Sequence, residues 1–227
     1  MKKITGILFI CIYTMVIAPF AFADDISDAD SILQTAMTDV LTVVKEPATS
    51  DKEKRTQLWD IVLKTFDFEK ITVFALGKFS ATSKSKLGEY QDRRFSTEQH
   101  AEFEKLFTKH LGNTYLDRLE FDNVDAKIDV STAVMMKPKK NMKRAKINTI
   151  INDKILIDYL MLKRDNQWRV YDLKVEGRSL VSAFRKEYKS VLLKNKPDYL
   201  IDLIKGKIAA HEAAKAKKAE AKAKATK

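Results

Sequence analysis

The sequence predicts an α+β fold: a twisted antiparallel meander sheet with helices packed on it. Three observations predict it. Apolar residues recur at three- and four-residue steps near both ends of the chain, the mark of helices with one buried face. Between them, from Ile128 to Leu173, they alternate with period two. Asn152-Asp153 and Asp165-Asn166 then interrupt the alternation as short hairpin turns, so neighbouring strands run antiparallel. Helices, then a sheet, then helices make a layered domain in which helices cover the sheet.

Residues 1–23 are expected to be a cleavable signal peptide. Lys2 and Lys3 form a positive start, Ile7 to Ala18 is apolar but for Tyr13 and Thr14, and Ala21-Phe22-Ala23 places small residues where a signal peptidase reads them. Asp24 would begin the mature chain. The only cysteine, Cys11, lies in the leader with no lipidation motif after it, so the remaining 204 residues fold without a disulfide and depend on a packed core.

The first helical stripe is Ile26, Ala29, Ile32, Leu33, Ala36, Met37, Val40, Leu41 and Val44, ending before Pro47. A second helix starts near Ser50 with Leu58, Ile61, Val62 and Thr65, and runs into the apolar segment Phe66–Leu76. Lys78 to Lys86 reads as a polar surface loop. Ser96 with Gln99 forms a capping box opening a helix with Phe103, Leu106, Phe107, His110 and Leu111 on one side.

The strands follow as Ile128–Met136, Ala145–Ile151, Ile155–Met161 and, less regularly, Trp168, Val170 and Leu173. Leu156, Leu160 and Leu162 make the other face of the third strand apolar too, so it is covered on both sides or lines a cavity on one. After Gly177, the stripe Leu180, Val181, Phe184, Tyr188, Val191 and Leu192 returns to helix, and Pro197 opens a last one bearing Leu200, Ile201, Leu203 and Ile204. The domain is expected to span 24–204. Residues 205–227, almost all Ala, Lys and Glu from Ala209 on, are expected to be a tail of frayed helix or disorder.

The formal charge of +11 resembles a nucleic-acid signal until it is partitioned. The leader holds two of the lysines, and Lys205–Lys227 adds eight lysines against two glutamates, which leaves the body near +3. Such a body has no footprint for a phosphate backbone, and no nucleic-acid partner is expected.

Nothing in the mature sequence points to catalysis. It has no cysteine nucleophile and no Gly-rich phosphate loop, and His100, His110 and His211 show no metal-ligand spacing, so no catalytic residue, metal or cofactor is expected. Glu-Gly-Arg-Ser-Leu at 176–180 lacks the second glycine of a nucleophile elbow and reads as a turn and helix cap. Asp67, Asp172 and Glu176 sit in apolar surroundings and are expected to be partly buried in structural hydrogen bonds.

The most specific segment is Trp168-Arg169-Val170-Tyr171-Asp172-Leu173-Lys174-Val175-Glu176-Gly177-Arg178-Ser179-Leu180-Val181. It closely resembles the signature of the MlaC family, periplasmic lipid-binding components of the Mla (toluene-tolerance) transport system. Phe184-Arg185, Lys196-Pro197-Asp198-Tyr199-Leu200-Ile201 and, upstream, Leu87-Gly88-Glu89-Tyr90 with Ser96–Gln99 and Phe103 continue the likeness. Arg178 departs from the family's small or apolar residue. Leu76-Gly77 competes with Leu87-Gly88 for one motif, which suggests an insertion around Lys78 to Lys86.

The resemblance implies a soluble periplasmic carrier of phospholipid, brought transiently near membranes. Its partners would be an outer-membrane lipoprotein complex and an inner-membrane ABC transporter with an MCE-domain subunit. The acyl chains would lie in an apolar cavity between sheet and helices, with the headgroup in water. The expected lining is Phe66, Ile71, Phe74, Leu76, Phe107, Ile157, Tyr159, Trp168, Val175, Leu180 and Phe184. Two other readings stand beside it: a binding protein for another apolar ligand, such as a solvent or terpenoid lipid, and a non-carrying envelope protein tethered by its basic tail.

Overall fold

The computed structural model describes residues 20–117, 119, 121, 127–139 and 142–225. The expected leader up to residue 19 and the last two residues of the tail lie outside them. The apolar stripe that begins at Ile26 forms the inner face of α1 (Phe20–Lys45), where Ala29 and Leu33 are fully buried against the sheet. Asp25 is also buried, and its carboxylate accepts hydrogen bonds from Lys143 and, at 2.8 Å, from Lys163. Those two bonds hold its pKa below the ordinary 3.8.

α2 (Asp51–Thr65) opens on a capping box in which Ser50 Oγ accepts from the Glu53 amide and the Glu53 carboxylate accepts from the Ser50 amide. It does not run on into the next apolar segment. Phe66 is extended and bridges to Val170, and the Asp67 amide donates to the Val170 carbonyl at 2.8 Å. The Asp67 carboxylate then accepts from the Lys70 amide at 3.0 Å and starts α3 (Phe68–Leu76). That carboxylate is buried as expected and lies 3.3 Å from the Arg164 guanidinium. A carboxylate in an apolar run thus ends one helix and caps the next.

The 78–86 segment differs from a plain surface loop. Phe79 and Ser80 are buried, the Phe95 amide donates to the Phe79 carbonyl at 2.9 Å, and Arg94 donates to the carbonyls of Ser83 and Ser85. α4 (Thr97–Tyr115) begins from the expected Ser96–Gln99 capping box.

The sheet comprises β1 (Ile128–Val130), β2 (Val134–Lys139), β3 (Met142–Ile151), β4 (Ile155–Arg164), β5 (Gln167–Val175) and β6 (Arg178–Ser179). All pairings between strands are antiparallel in the order β1-β3-β4-β5-β6, with β2 also on β3. The alternating run expected as one strand is therefore two. Between them Asp30 of α1 accepts from the Ala133 amide, and Ala133 is buried in the core that α1 shares with the sheet. Both expected turns are present, and Asn152, Asp153, Asp165 and Asn166 all take positive φ, which these short polar residues tolerate. A bulge shifts the register where Leu160 faces Asp172 and Met161 faces Val170, which explains the irregular spacing along β5. Glu176, expected to be partly buried, is instead exposed, because it shares the β5–β6 turn with Gly177, both at positive φ.

Two cores result. One lies between α1 and a sheet face built from Ala145, Ile147, Tyr159, Met161, Trp168 and Val170. The other joins α3, α4, α5 (Leu180–Leu192) and α6 (Pro197–Ala225) around Phe103, Phe107 and Tyr188, whose rings sit 5.4–5.6 Å apart. On the opposite sheet face, Leu160, Leu162 and Tyr171 meet Phe74 of α3, while Leu156 stays exposed. α6 does not stop being packed at Ile204, since Ile208 is buried as well. Its helix continues to Ala225, held to α4 by Lys109–Glu212 and to Asp117 by His211 and Lys215.

Replacing Asp67 with Ala removes the α3 cap and the partner of Arg164. It is expected to lower unfolding free energy in urea by about 2–4 kcal/mol. The Asp25 ion pairs give a pH test. A depressed carboxylate pKa stabilises fully above the unfolded value and is lost as pH falls through the folded one. The stability gap between wild type and Asp25→Asn should therefore be widest near neutral pH and close below the ordinary 3.8; a gap independent of pH would contradict the assignment.

Candidate functional site

α2 packs chiefly on α1 and against β5, whereas α4 packs on α6, so a seam runs between α2 and α4. Beneath it lies an apolar cavity of about 240 Å³. Trp59 and Val62 come from α2, Phe66, Phe68 and Ile71 from the α2–α3 joint and α3, and Leu111, Tyr115 and Leu116 from the end of α4. Leu173 and Val175 at the end of β5 and Leu180 and Val181 at the start of α5 complete the wall.

Asp172 is the only charged lining residue among the described residues, and both of its oxygens are engaged. One accepts from Ser179 Oγ at 2.5 Å and the other from the Val181 amide at 3.0 Å, while Ser179 caps α5. The bulge on β5 and the cap on α5 therefore meet at this carboxylate, which fixes the wall and leaves it chemically quiet. A hydrogen-bonded carboxylate beside apolar side chains can orient a helix, and apart from the Trp59 indole N–H and the Tyr115 hydroxyl the rest of the lining excludes water.

Trp59 stands on the partition of this cavity. Gly112 of α4 lets it approach: a Cβ there would lie 3.3 Å from the indole ring. On the outer side of the same seam is an open groove of about 730 Å³ that shares Trp59, Phe68 and Leu116 with the inner cavity. At its rim, burial raises the Asp117 pKa, but hydrogen bonds from Lys215 and His211 more than offset this and hold it below the usual range. Burial, with Glu69 and Asp67 nearby, pushes the Glu104 carboxyl up. A further open hollow along α1 is lined by Ile26 together with Ser, Thr, Asp and Gln side chains. No three His, Cys, Asp or Glu side chains among the described residues gather to hold a metal.

Of the eleven residues expected to line a cavity, the structure brings Phe66, Ile71, Val175 and Leu180 together around this one. The others lie elsewhere. Leu76, Phe107 and Phe184 pack in the helical core, with Phe107 and Phe184 rings 4.9 Å apart. Phe74 stands edge-on to Tyr171 at 5.4 Å. Ile157, Tyr159 and Trp168 belong to the α1–sheet core. Trp59, Val62, Phe68, Leu111, Tyr115, Leu116, Leu173 and Val181 line the cavity without having been singled out. For Trp59 a signal existed, a large aromatic residue three and four positions before Val62 and Leu63 on one side of α2.

A family model for the MlaC protein matches residues 34–206, about three quarters of the chain. The chain belongs to the MlaC family. The match begins within α1 and ends within α6, so it takes in the whole sheet, the seam and the cavity. Among solved structures, this MlaC-family chain is similar to the phospholipid-binding protein from Ralstonia solanacearum, determined in complex with a phospholipid. The two are 22% identical with a TM-score of 0.63, and the likeness covers 82% of this chain and 99% of that one. The fold is shared. A comparison with curated proteins finds no match.

If Gly112 seats Trp59, then Gly112→Leu must push the indole off α4. The expected result is a loss of about 1–3 kcal/mol in stability and a red-shifted tryptophan emission, with buried Trp168 as the constant background.

Proposed function

We propose that this MlaC-family chain is a periplasmic phospholipid carrier, passing lipid between an outer-membrane lipoprotein complex and an inner-membrane ABC transporter with an MCE-domain subunit. The observation that carries the reading is the apolar cavity beneath the α2–α4 seam, whose one charged group is already hydrogen-bonded. Likeness of fold to a protein solved with a phospholipid supports it.

The physical need is plain. With roughly 30 acyl methylenes at about 0.8 kcal/mol each, a free two-chain lipid in water is disfavoured by roughly 24 kcal/mol. A carrier must enclose both chains. At about 240 Å³ the cavity lies just below the roughly 300–1,000 Å³ of small-molecule sites, so it has to widen to accept them. The seam is where it can, because α2 and α4 each pack mainly on other partners. Phe66, Ile71, Val175 and Leu180 are the proposed acyl contacts from the expected set, joined by Trp59 and Phe68. Cleavage after Ala23 would free the chain from the inner membrane, which a shuttle requires.

Mass spectrometry of protein purified without detergent tests the reading. Two-chain phospholipid is the expected co-purified species. A consistent solvent or terpenoid ligand would replace the reading with that of another apolar-ligand binder, and an empty protein that takes no lipid from vesicles would sink both. Val175→Trp, at a half-exposed strand end, should fill the cavity without disturbing either core and lower bound lipid by roughly tenfold.

A further inference from the structure

The seam has a charged outer side that its apolar inner side does not explain. The groove between α2 and α4 is lined by Lys52 and Arg55 from α2, Lys105 and Lys109 one turn apart on α4, and Lys215 from α6, against only Glu104 and Asp117. Asp117 is already engaged by Lys215 and His211, Lys109 pairs with Glu212, and Arg55 pairs with Asp51. Lys105 is exposed and forms no ion pair among the described residues. The uncompensated positive charge of the groove therefore rests on Lys52 at the start of α2 and Lys105 on α4, facing each other across the seam. The groove also adjoins the apolar cavity directly, because Trp59, Phe68 and Leu116 line both.

We propose that this groove seats the phosphate-bearing head of the lipid, with Trp59, Phe68 and Leu116 as the threshold over which the chains pass inward. The inference rests on the reading of the inner cavity as the acyl site. It departs from a head left wholly in water: the groove is open, so the phosphate keeps part of its hydration while ammonium groups approach it. A phosphodiester is an acceptor-only anion, and lysines bind it as mobile point charges that tolerate varied substituents beyond the phosphate. Exposed ion pairs of this kind are individually weak, so the groove would orient the lipid while the chains supply most of the affinity. Inorganic phosphate shares the same chemistry and is separated from the lipid head by experiment.

The test uses the full-length mature protein and three probes followed by tryptophan fluorescence: submicellar dihexanoylphosphatidylglycerol, dihexanoylglycerol with the same chains and no phosphate, and inorganic phosphate. Lys52→Glu combined with Lys105→Glu changes exposed groove positions that form no ion pair among the described residues and lie outside the apolar lining, and Lys105→Gln serves as the milder variant. The double variant is expected to bind the phospholipid roughly tenfold more weakly, with unchanged affinity for the diacylglycerol and a reduced salt dependence. Lys105→Gln should show a smaller loss of the same kind. Equal weakening of both lipids, or of neither, overturns the proposal. So does lysine-dependent binding of inorganic phosphate without lysine-dependent phospholipid binding, which would make the groove a free-phosphate site. If wild type binds neither lipid, the carrier reading itself falls, a result distinct from losing lysine dependence alone.

Discussion

One backbone hydrogen bond, from the Asp67 amide to the Val170 carbonyl, holds together everything that gives this chain a cavity. It pulls the chain out of helical geometry between α2 and α3 and lays Phe66 beside β5. Phe66 then packs against both hydrophobic cores at once. The Asp67 side chain closes the arrangement by capping α3 and meeting Arg164 from the end of β4. A continuous helix through these residues would leave no seam between α2 and α4 and no apolar space beneath it. The energetic logic is that of a buried carboxylate, costly unless its oxygens are all engaged and locally decisive when they are.

Most of the architecture was legible because it follows from period and turn chemistry. Alternation over 145–161, with Asx pairs at the turns, specifies antiparallel hairpins almost without reference to the rest of the molecule, and the Ser96–Gln99 box marks a helix start on sight. The failures share a cause. The split at 131–133 depends on Asp30, about a hundred residues away, capturing an amide, and burial of Phe79 depends on Arg94 folding the loop around it. Glu176 looked buried because its neighbours are apolar, yet a tight turn with positive φ places it outside. Tertiary partners decide these points, and local pattern does not carry them.

The candidate site shows the same limit more sharply. Periodicity identifies Phe107, Trp168 and Ile71 equally well as inward-facing, but it does not tell which inward-facing residues meet each other across a seam. Only those near the α2–α3 joint and the β5–α5 turn surround the cavity, and both places are where helix or strand geometry is interrupted. Asp172 illustrates the point: its pattern suggested structural hydrogen bonding, and it caps α5, yet its position in the cavity wall follows from a bulge that shifts β5 by one residue.

Having two cores instead of one has a mechanical consequence. A chamber hollowed inside a single close-packed core would have to carry permanent voids or ill-fitting side chains to make room for cargo. Here the free space lies where two solid bodies abut, with Phe66 as the shared pivot. The sheet is tied to α3 and α5 through Phe74–Tyr171 and the Asp172–Val181 bond, so on the carrier reading volume would be added by parting α2 from α4 at the seam, with the two cores left packed. If the chain carries lipid as proposed, capacity and fold stability are thereby separated: acyl chains of different length would change how far the seam stands open, not how well either core is packed.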